Sequence, residues 1–438
     1  MVIKNIKTYL LLLLLVGALS CKTNSSNEII IPAADIDTVV RAMSDIMVHD
    51  VTNPPLAARF FAYTFLAGYE IVSQNNPSIK NMHGILNDYP AIEKPGIKKY
   101  NYQLAALLAT IETASRIQPS GKRLQSLKEK ILRHVENDMD EEIITGSVNY
   151  ATAISDQVMK YARGDGYRSF SDYPRYTPLN DEGHWFPTPP GYIAAVEPYF
   201  GKLRTFFLDS GSQFIPPLPA PFSKNKSSAF YILMDSVYET GKHLTNEQKE
   251  IAAFWDCNPF ALADQGHLKV GIKKISPGAH WMGIAGIACT QKNLSFDSSM
   301  MIHGLLALTL TDAFISCWDE KYRSNRIRPE TAIRQYIDPE WKPLLQTPPF
   351  PEYVSGHSVV SGASAELLSH FFGNTFIYKD SVEQDFGLPS RTFQSFRQAA
   401  HEAAVSRYYG GIHFMDANRN GLLQGEKIGK YVLSSYLN

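Results

Sequence analysis

Phe350-Pro351-Glu352-Tyr353-Val354-Ser355-Gly356-His357 leads into a small and apolar run from Val359 to Leu368. Ser355 suits an N-cap, because its hydroxyl can accept from a free backbone N–H of the first helical turn. Gly356 leaves the entrance to that helix without a side chain. A helix starting here offers unpaired N–H groups and the positive end of its dipole, a natural place for an oxyanion. His357, in the first turn, can donate or accept a proton at that place.

Helical spacing extends outward from this stretch over most of the chain. Val39, Met43, Ile46 and Met47 mark one apolar face, and Leu104, Leu107, Leu108 and Ile111 mark another. Ala252 to Phe254 is helix-like, and Met301 to Phe314 is long and apolar. Asn53-Pro54-Pro55 reads as a helix start, since proline is tolerated in a first turn. Period-2 runs are scarce. The expected fold class is therefore all-α, a large helical bundle.

One segment departs from the pattern. Ten of the 26 prolines fall between Pro174 and Pro221, a density that helices do not accept. The excursion, set at 174–222, is rich in aromatics, so it is expected to pack over the helical body rather than link two domains. The N-terminus reads as an export signal over 1–20. It has a basic start at Lys4 and Lys7, an apolar Leu10–Val16 core and the small-residue run Gly17-Ala18-Leu19-Ser20 before Cys21. Lipidation of Cys21 would anchor the chain to a membrane, with 21–35 as a polar tether and 36–438 as a single catalytic domain. A periplasmic or cell-surface location follows, on the outer membrane if lipidated and secreted otherwise.

With 42 basic and 43 acidic side chains the chain lacks the basic excess of a nucleic-acid binder. Hydrophobic residues at 44% against 19% charged exclude disorder of the whole chain. Cys257, Cys289 and Cys317 sit in apolar surroundings without CxxC spacing. They read as buried small hydrophobes rather than as a disulfide framework or zinc site.

Two further segments join the Ser-Gly-His stretch, all within 318–416. Lys321-Tyr322-Arg323-Ser324-Asn325-Arg326-Ile327-Arg328-Pro329 places Lys321 and Arg328 seven residues apart, two helical turns, so that both can face one side. Ser406-Arg407-Tyr408-Tyr409-Gly410-Gly411-Ile412-His413 ends an Ala-rich helix and presents His413 after a glycine bend. Three cations, a hydroxyl cap and two histidines are the groups that a highly charged tetrahedral or trigonal-bipyramidal oxyanion needs.

Together, the Lys-x6-Arg-Pro, Ser-Gly-His and Ser-Arg-x5-His spacings resemble the vanadium haloperoxidase/type 2 acid phosphatase superfamily, in its bacterial haloperoxidase branch. Trp185 to Pro190, Phe254-Trp255-Asp256 and His280-Trp281 extend the likeness upstream. The resemblance implies vanadate as cofactor, with no haem, flavin or nucleotide. It implies that Lys321, Arg328, Ser355, Gly356 and Arg407 bind the oxyanion, that His413 ligates vanadium, and that His357 is the acid–base partner. Val354 stands where the family usually has Pro. Asp416 lies three residues past His413, where the family often has Asp at four, so the resemblance does not carry a role in orienting His413 to it.

Vanadate mimics phosphate, so these residues also suit a phosphatase working through a phospho-His413 intermediate. Trp318 and Phe350 match aromatics beside the halide site of the peroxidases, and aromatic walls favour a weakly hydrated halide over a phosphoester. The expected reaction is oxidation of halide by hydrogen peroxide to hypohalous acid, with iodide first, bromide next and chloride last by ease of oxidation. A glycan- or peptide-binding lipoprotein would not need the three motifs. Asp416 to Gly421 resembles a calcium loop, but Glu426 falls at position 11 rather than 12, so it is read as a turn before a C-terminal helix.

Overall fold

The computed structural model describes residues 29–438 apart from 190, 260–261, 266–267 and 272–273. The signal at 1–20, Cys21 and most of the 21–35 tether lie outside the described residues. The helical body comprises Ile31–Asn438. Ile31 is buried, with its N–H bonded to Gln103, and the first helix begins at Ala34.

The N-terminal half supplies α1 (Ala34–His49), α2 (Pro54–Asn75), α3 (Tyr102–Ile117), α4 (Gln125–Val135) and α5 (Glu141–Arg163). After the Pro-rich excursion come α6 (Ala229–Lys242), α7 (Asn246–Phe254), α8 (Pro277–Gln291), α9 (Phe296–Ser324) and α10 (Pro329–Tyr336). The chain ends with α11 (Gly356–Phe372), α12 (Phe396–Tyr409) and α13 (Met415–Leu437). Two short antiparallel hairpins decorate this body: β1 (Leu262–Gln265) with β2 (Leu268–Gly271), and β3 (Tyr378–Asp380) with β4 (Arg391–Phe393).

Asn53 caps α2 by accepting from the Leu56 N–H, and the two prolines occupy its first turn. Both α2 and α9 are apolar on nearly every face, and both are core helices that pack against each other. By length and composition α9 could cross a membrane, but 94% of its apolar window is buried inside the body. It is an interior helix.

The C-terminal helices position the functional motifs. α11 packs on α9, α12 and α13. Its crossing with α13 is close enough to exclude side chains: a Cβ on Gly425 would lie 2.0 Å from the Val359 carbonyl oxygen. The α12–α13 bend uses Gly411 at φ +73°, a conformation that other residues adopt only under strain.

Within 174–222 the only regular element among the described residues is a short 3₁₀ turn at Phe200–Lys202. The excursion lies on the helical body. Asp312, buried in α9, accepts the backbone N–H groups of Phe206, Phe207 and Leu208 at 2.7–3.1 Å. The Trp185 N–H donates to the Asn325 carbonyl, and the Val196 carbonyl accepts from Trp318 and Tyr322. Loop backbone that would otherwise be orphaned is satisfied by core side chains and, at Trp185, by the main chain that ends α9.

Two local expectations are corrected. Lys321 and Arg328 do not share a helix: α9 ends at Ser324, Asn325 takes a left-handed cap (φ 48°), and Arg328 is the N-cap of α10. They converge because the chain reverses there. Asp416 to Gly421 is not a turn; it lies inside α13, which starts at Met415, and Asp416 occupies the favourable first turn.

Candidate active site

Six residues of the motifs and their aromatic neighbours line one narrow cavity: Trp318, Phe350, Gly356, His357, Arg407 and His413. Phe314, Pro348, Ile412 and Cys257 complete much of its wall. Lys321, Arg328 and Ser355 lie behind this lining, joined to it by hydrogen bonds and packing.

Each element delivers its side chain through local chemistry. Ser355 caps α11, accepting from the Ser358 N–H, so its hydroxyl is committed to the helix start. Gly356 is the first helical residue, where backbone N–H groups have no partner within the helix. Arg407 ends α12, and the glycine bend carries His413 back toward Arg328.

Three buried cations surround this point. The Lys321 ammonium donates to the carbonyls of Pro351, Glu352 and Val354 at 2.5–3.0 Å, clamping the chain ahead of Ser-Gly-His. Burial, with Arg328 and Arg326 near, pushes Lys321 down to about 7. Arg328 donates through Nε to the Phe350 carbonyl and through Nη1 to the Ile412 carbonyl, both at 2.8 Å, while its buried Nη2 has no partner among the described residues. Burial lowers its pKa to about 10. Arg407 reaches Ser406 Oγ and the Ala252 carbonyl, and its Nη1 is 3.5 Å from His357 Nε2. Among the described residues, the only carboxylate at ion-pair distance from these three cations is Asp256, 3.9 Å from Arg407. Buried positive charge without matched counter-charge is expensive, and an anion in the cavity would offset it.

The two histidines differ in their partners. His413 Nδ1 lies 2.8 Å from Glu352 Oε1 and Nε2 lies 3.2 Å from Arg328 Nη1. A carboxylate only accepts and a guanidinium only donates, so Nδ1 carries the proton and Nε2 keeps its lone pair. Burial and the cations Arg328, Lys321 and Arg407 hold the ring neutral, well below the ordinary histidine range. Burial, Arg407 and His413 depress His357 as well, opposed by a hydrogen bond to the Trp255 backbone.

Glu352 is the functional residue that the sequence reading missed. Fully buried, it accepts from His413, from the Phe414 N–H at 2.9 Å and from Arg326, 2.6 Å away. Arg326 in turn forms a two-pronged pair with Asp416 at 2.6 and 2.7 Å. Asp416 is thus linked to His413 through Arg326 and Glu352. An acid between Pro and Tyr in an otherwise apolar run was the available signal.

Trp318 and Phe350 face each other with ring centroids 5.0 Å apart. The Lys321 ammonium lies 5.2 Å from the Phe350 ring centre and 5.8 Å from that of Trp318.

Comparison with known proteins agrees with this geometry. The VCPO second helical-bundle domain matches residues 301–438, the span that holds all three motifs. The crystal structure of a bacterial vanadium-dependent iodoperoxidase superposes with a TM-score of 0.87 at 42% identity, over 93% of this chain and 97% of that one. The chain belongs to the bacterial vanadium-dependent haloperoxidases. The haloperoxidase fold extends to the holo form of a bacterial vanadium-dependent chloroperoxidase, with a TM-score of 0.66 at 16% identity over 88% of this chain and 93% of that one. The apo form of such a chloroperoxidase gives 0.65 at 15%, over 88% and 95%. Curated protein sequences give no match. Membership makes this haloperoxidase an enzyme with vanadate as its cofactor, and the residues present fit that group: surplus buried cation, an unpartnered Arg328 Nη2, and a neutral His413 with Nε2 unprotonated.

Proposed function

We propose that the chain oxidises halide with hydrogen peroxide, iodide before bromide, in the cavity between His413 and Trp318. The observation that carries this reading is the buried trio of Lys321, Arg328 and Arg407 around a His413 whose tautomer Glu352 sets. The 42% identity to an iodoperoxidase supports iodide.

Arg328, Arg407 and the N–H groups at Gly356 would hold the oxygens of vanadate. Lys321 would join them by exchanging one of its three carbonyl bonds, and Ser355 through its place at the helix start. The Nε2 lone pair of His413 would supply the protein's bond to the metal. Bound vanadate supplies a Lewis acid that makes peroxide electrophilic toward halide without a change of metal oxidation state. His357, neutral and in reach of the same space, takes and returns a proton at its ring nitrogen. Trp318 and Phe350 give the halide a weakly hydrating wall and limit water.

The metal-free chain reconstituted with vanadate should turn over iodide with peroxide, bromide more slowly and chloride least. Without vanadate it should be inactive toward halide and poor on a generic phosphomonoester. Robust phosphomonoester hydrolysis with no halide oxidation would instead assign the phosphatase chemistry through His413.

Export, with lipidation of Cys21 and anchoring at a membrane surface, is proposed on the 1–21 pattern. Fatty-acid labelling of the expressed protein that survives in Cys21→Ser would overturn the anchor.

A further inference from the structure

A second cluster, which shares Cys257 with the cavity wall, has no part in the proposed reaction. Cys257 follows α7, His280 sits in the first turn of α8, and Glu383 lies in a 3₁₀ turn after β3. All three are buried. His280 Nδ1 is 3.1 Å from Glu383 Oε1 and 3.6 Å from Cys257 Sγ, and the Sγ–Oε1 separation is 3.8 Å. The other ring nitrogen, Nε2, bonds Asp380 Oδ2 at 2.8 Å, and both residues are fully buried.

The three separations are close to the edges of a tetrahedral zinc site. Zn–S of about 2.3 Å and Zn–N or Zn–O of about 2.0–2.1 Å, at tetrahedral angles, give edges of roughly 3.3–3.6 Å. A thiol, an imidazole and a carboxylate are a donor set that zinc accepts, and a carboxylate on the far nitrogen of the histidine is its usual support. The cluster cannot serve vanadate, because Glu383 and Asp380 would repel an oxyanion.

We propose that Cys257, His280 and Glu383 bind one zinc ion, with Asp380 orienting the His280 ring and solvent taking the fourth position. The proposal is independent of the halide reading. The exchange balances: Zn²⁺ takes the Cys257 sulfur, the His280 Nδ1 lone pair and a Glu383 oxygen, and any protons those atoms carry leave to solvent. CxxC spacing is absent because each ligand comes from a different segment.

The test uses the full purified chain dialysed against zinc alone, with metal counted by mass spectrometry, and a parallel sample loaded with cobalt. One zinc per chain should be retained by the wild type and by His413→Ala. Cys257→Ser and Glu383→Gln should each weaken retention by at least tenfold. The cobalt form should give tetrahedral visible bands and a near-ultraviolet thiolate charge-transfer band that Cys257→Ser lacks. Two results would each overturn the site: a wild type that retains no zinc, or zinc and cobalt signals unchanged in Cys257→Ser. Because the cobalt spectrum is read on the unaltered protein, poor folding of a variant does not protect the proposal.

Discussion

His413→Ala is expected to abolish vanadate retention, whereas His357→Ala keeps the metal and loses turnover by ~10²–10⁴-fold, the usual scale of lost acid–base assistance. The difference follows from the partners of the two rings. His413 has Nδ1 committed to Glu352 and its Nε2 lone pair held beside Arg328, the tautomer that the proposed ligand role requires. His357 lacks a carboxylate partner among the described residues; its Nε2 is 3.5 Å from Arg407. Removing His357 leaves Lys321, Arg328 and Arg407 in place, so the anion should still bind, more weakly. Equilibrium dialysis of both variants against vanadate, with peroxide-dependent iodide oxidation measured alongside, decides the matter. Loss of vanadate from the His357 variant with retention by the His413 variant would reverse the two roles.

The second large effect is expected at a residue that never touches substrate. Glu352→Ala should lower stability by about 3–5 kcal/mol, because it removes at once the buried acceptor of Arg326, of the His413 ring N–H and of the Phe414 N–H, and takes a negative charge from among buried cations. The same change frees the His413 ring, and vanadate affinity should fall by roughly 10–100-fold, as when the supporting partner of a metal-bound histidine is removed. Glu352→Gln keeps an oxygen for His413 and Phe414 while losing the acceptor for Arg326, and should fall between the two. Urea unfolding gives the first quantity and dialysis the second. A Glu352→Ala variant with wild-type midpoint and wild-type vanadate affinity would remove Glu352 from the site.

The contrast between Glu352 and the motif residues explains what the sequence could reveal. Ser355, Gly356 and His357 are legible because their roles depend on one helix start, a local matter of capping and dipole. Arg407 and His413 are legible because a glycine bend links them directly. The pairing of Glu352 with His413 spans 61 residues and depends on how α13 docks beside the loop before α11. No local rule reports that. Helical arithmetic placed Lys321 and Arg328 on one face, and Asn325 defeats it by ending α9 between them. The cations still meet, because the reversed chain brings α10 back against the same loop. Cys257, His280 and Glu383 give no pattern in sequence, since each contributes one ligand from a separate element.

The Gly425 contact gives the two ends of the site a shared mechanical reference. Where helices meet through side chains, a change of rotamer can slide one past the other. Here main chain rests on main chain, with a Val359 oxygen where a methyl group would need to be. At the helix starts the Ser355 N–H donates to the Ala417 carbonyl at 3.2 Å, so the same crossing holds the stretches that carry His357 and His413 at a set spacing when residues on other walls are exchanged. Trp318 and Phe350 belong to those other walls. Halide preference can on this account drift by replacing the aromatics one at a time, without retuning the histidines, and the price of a methyl group at residue 425 would be the alignment of both.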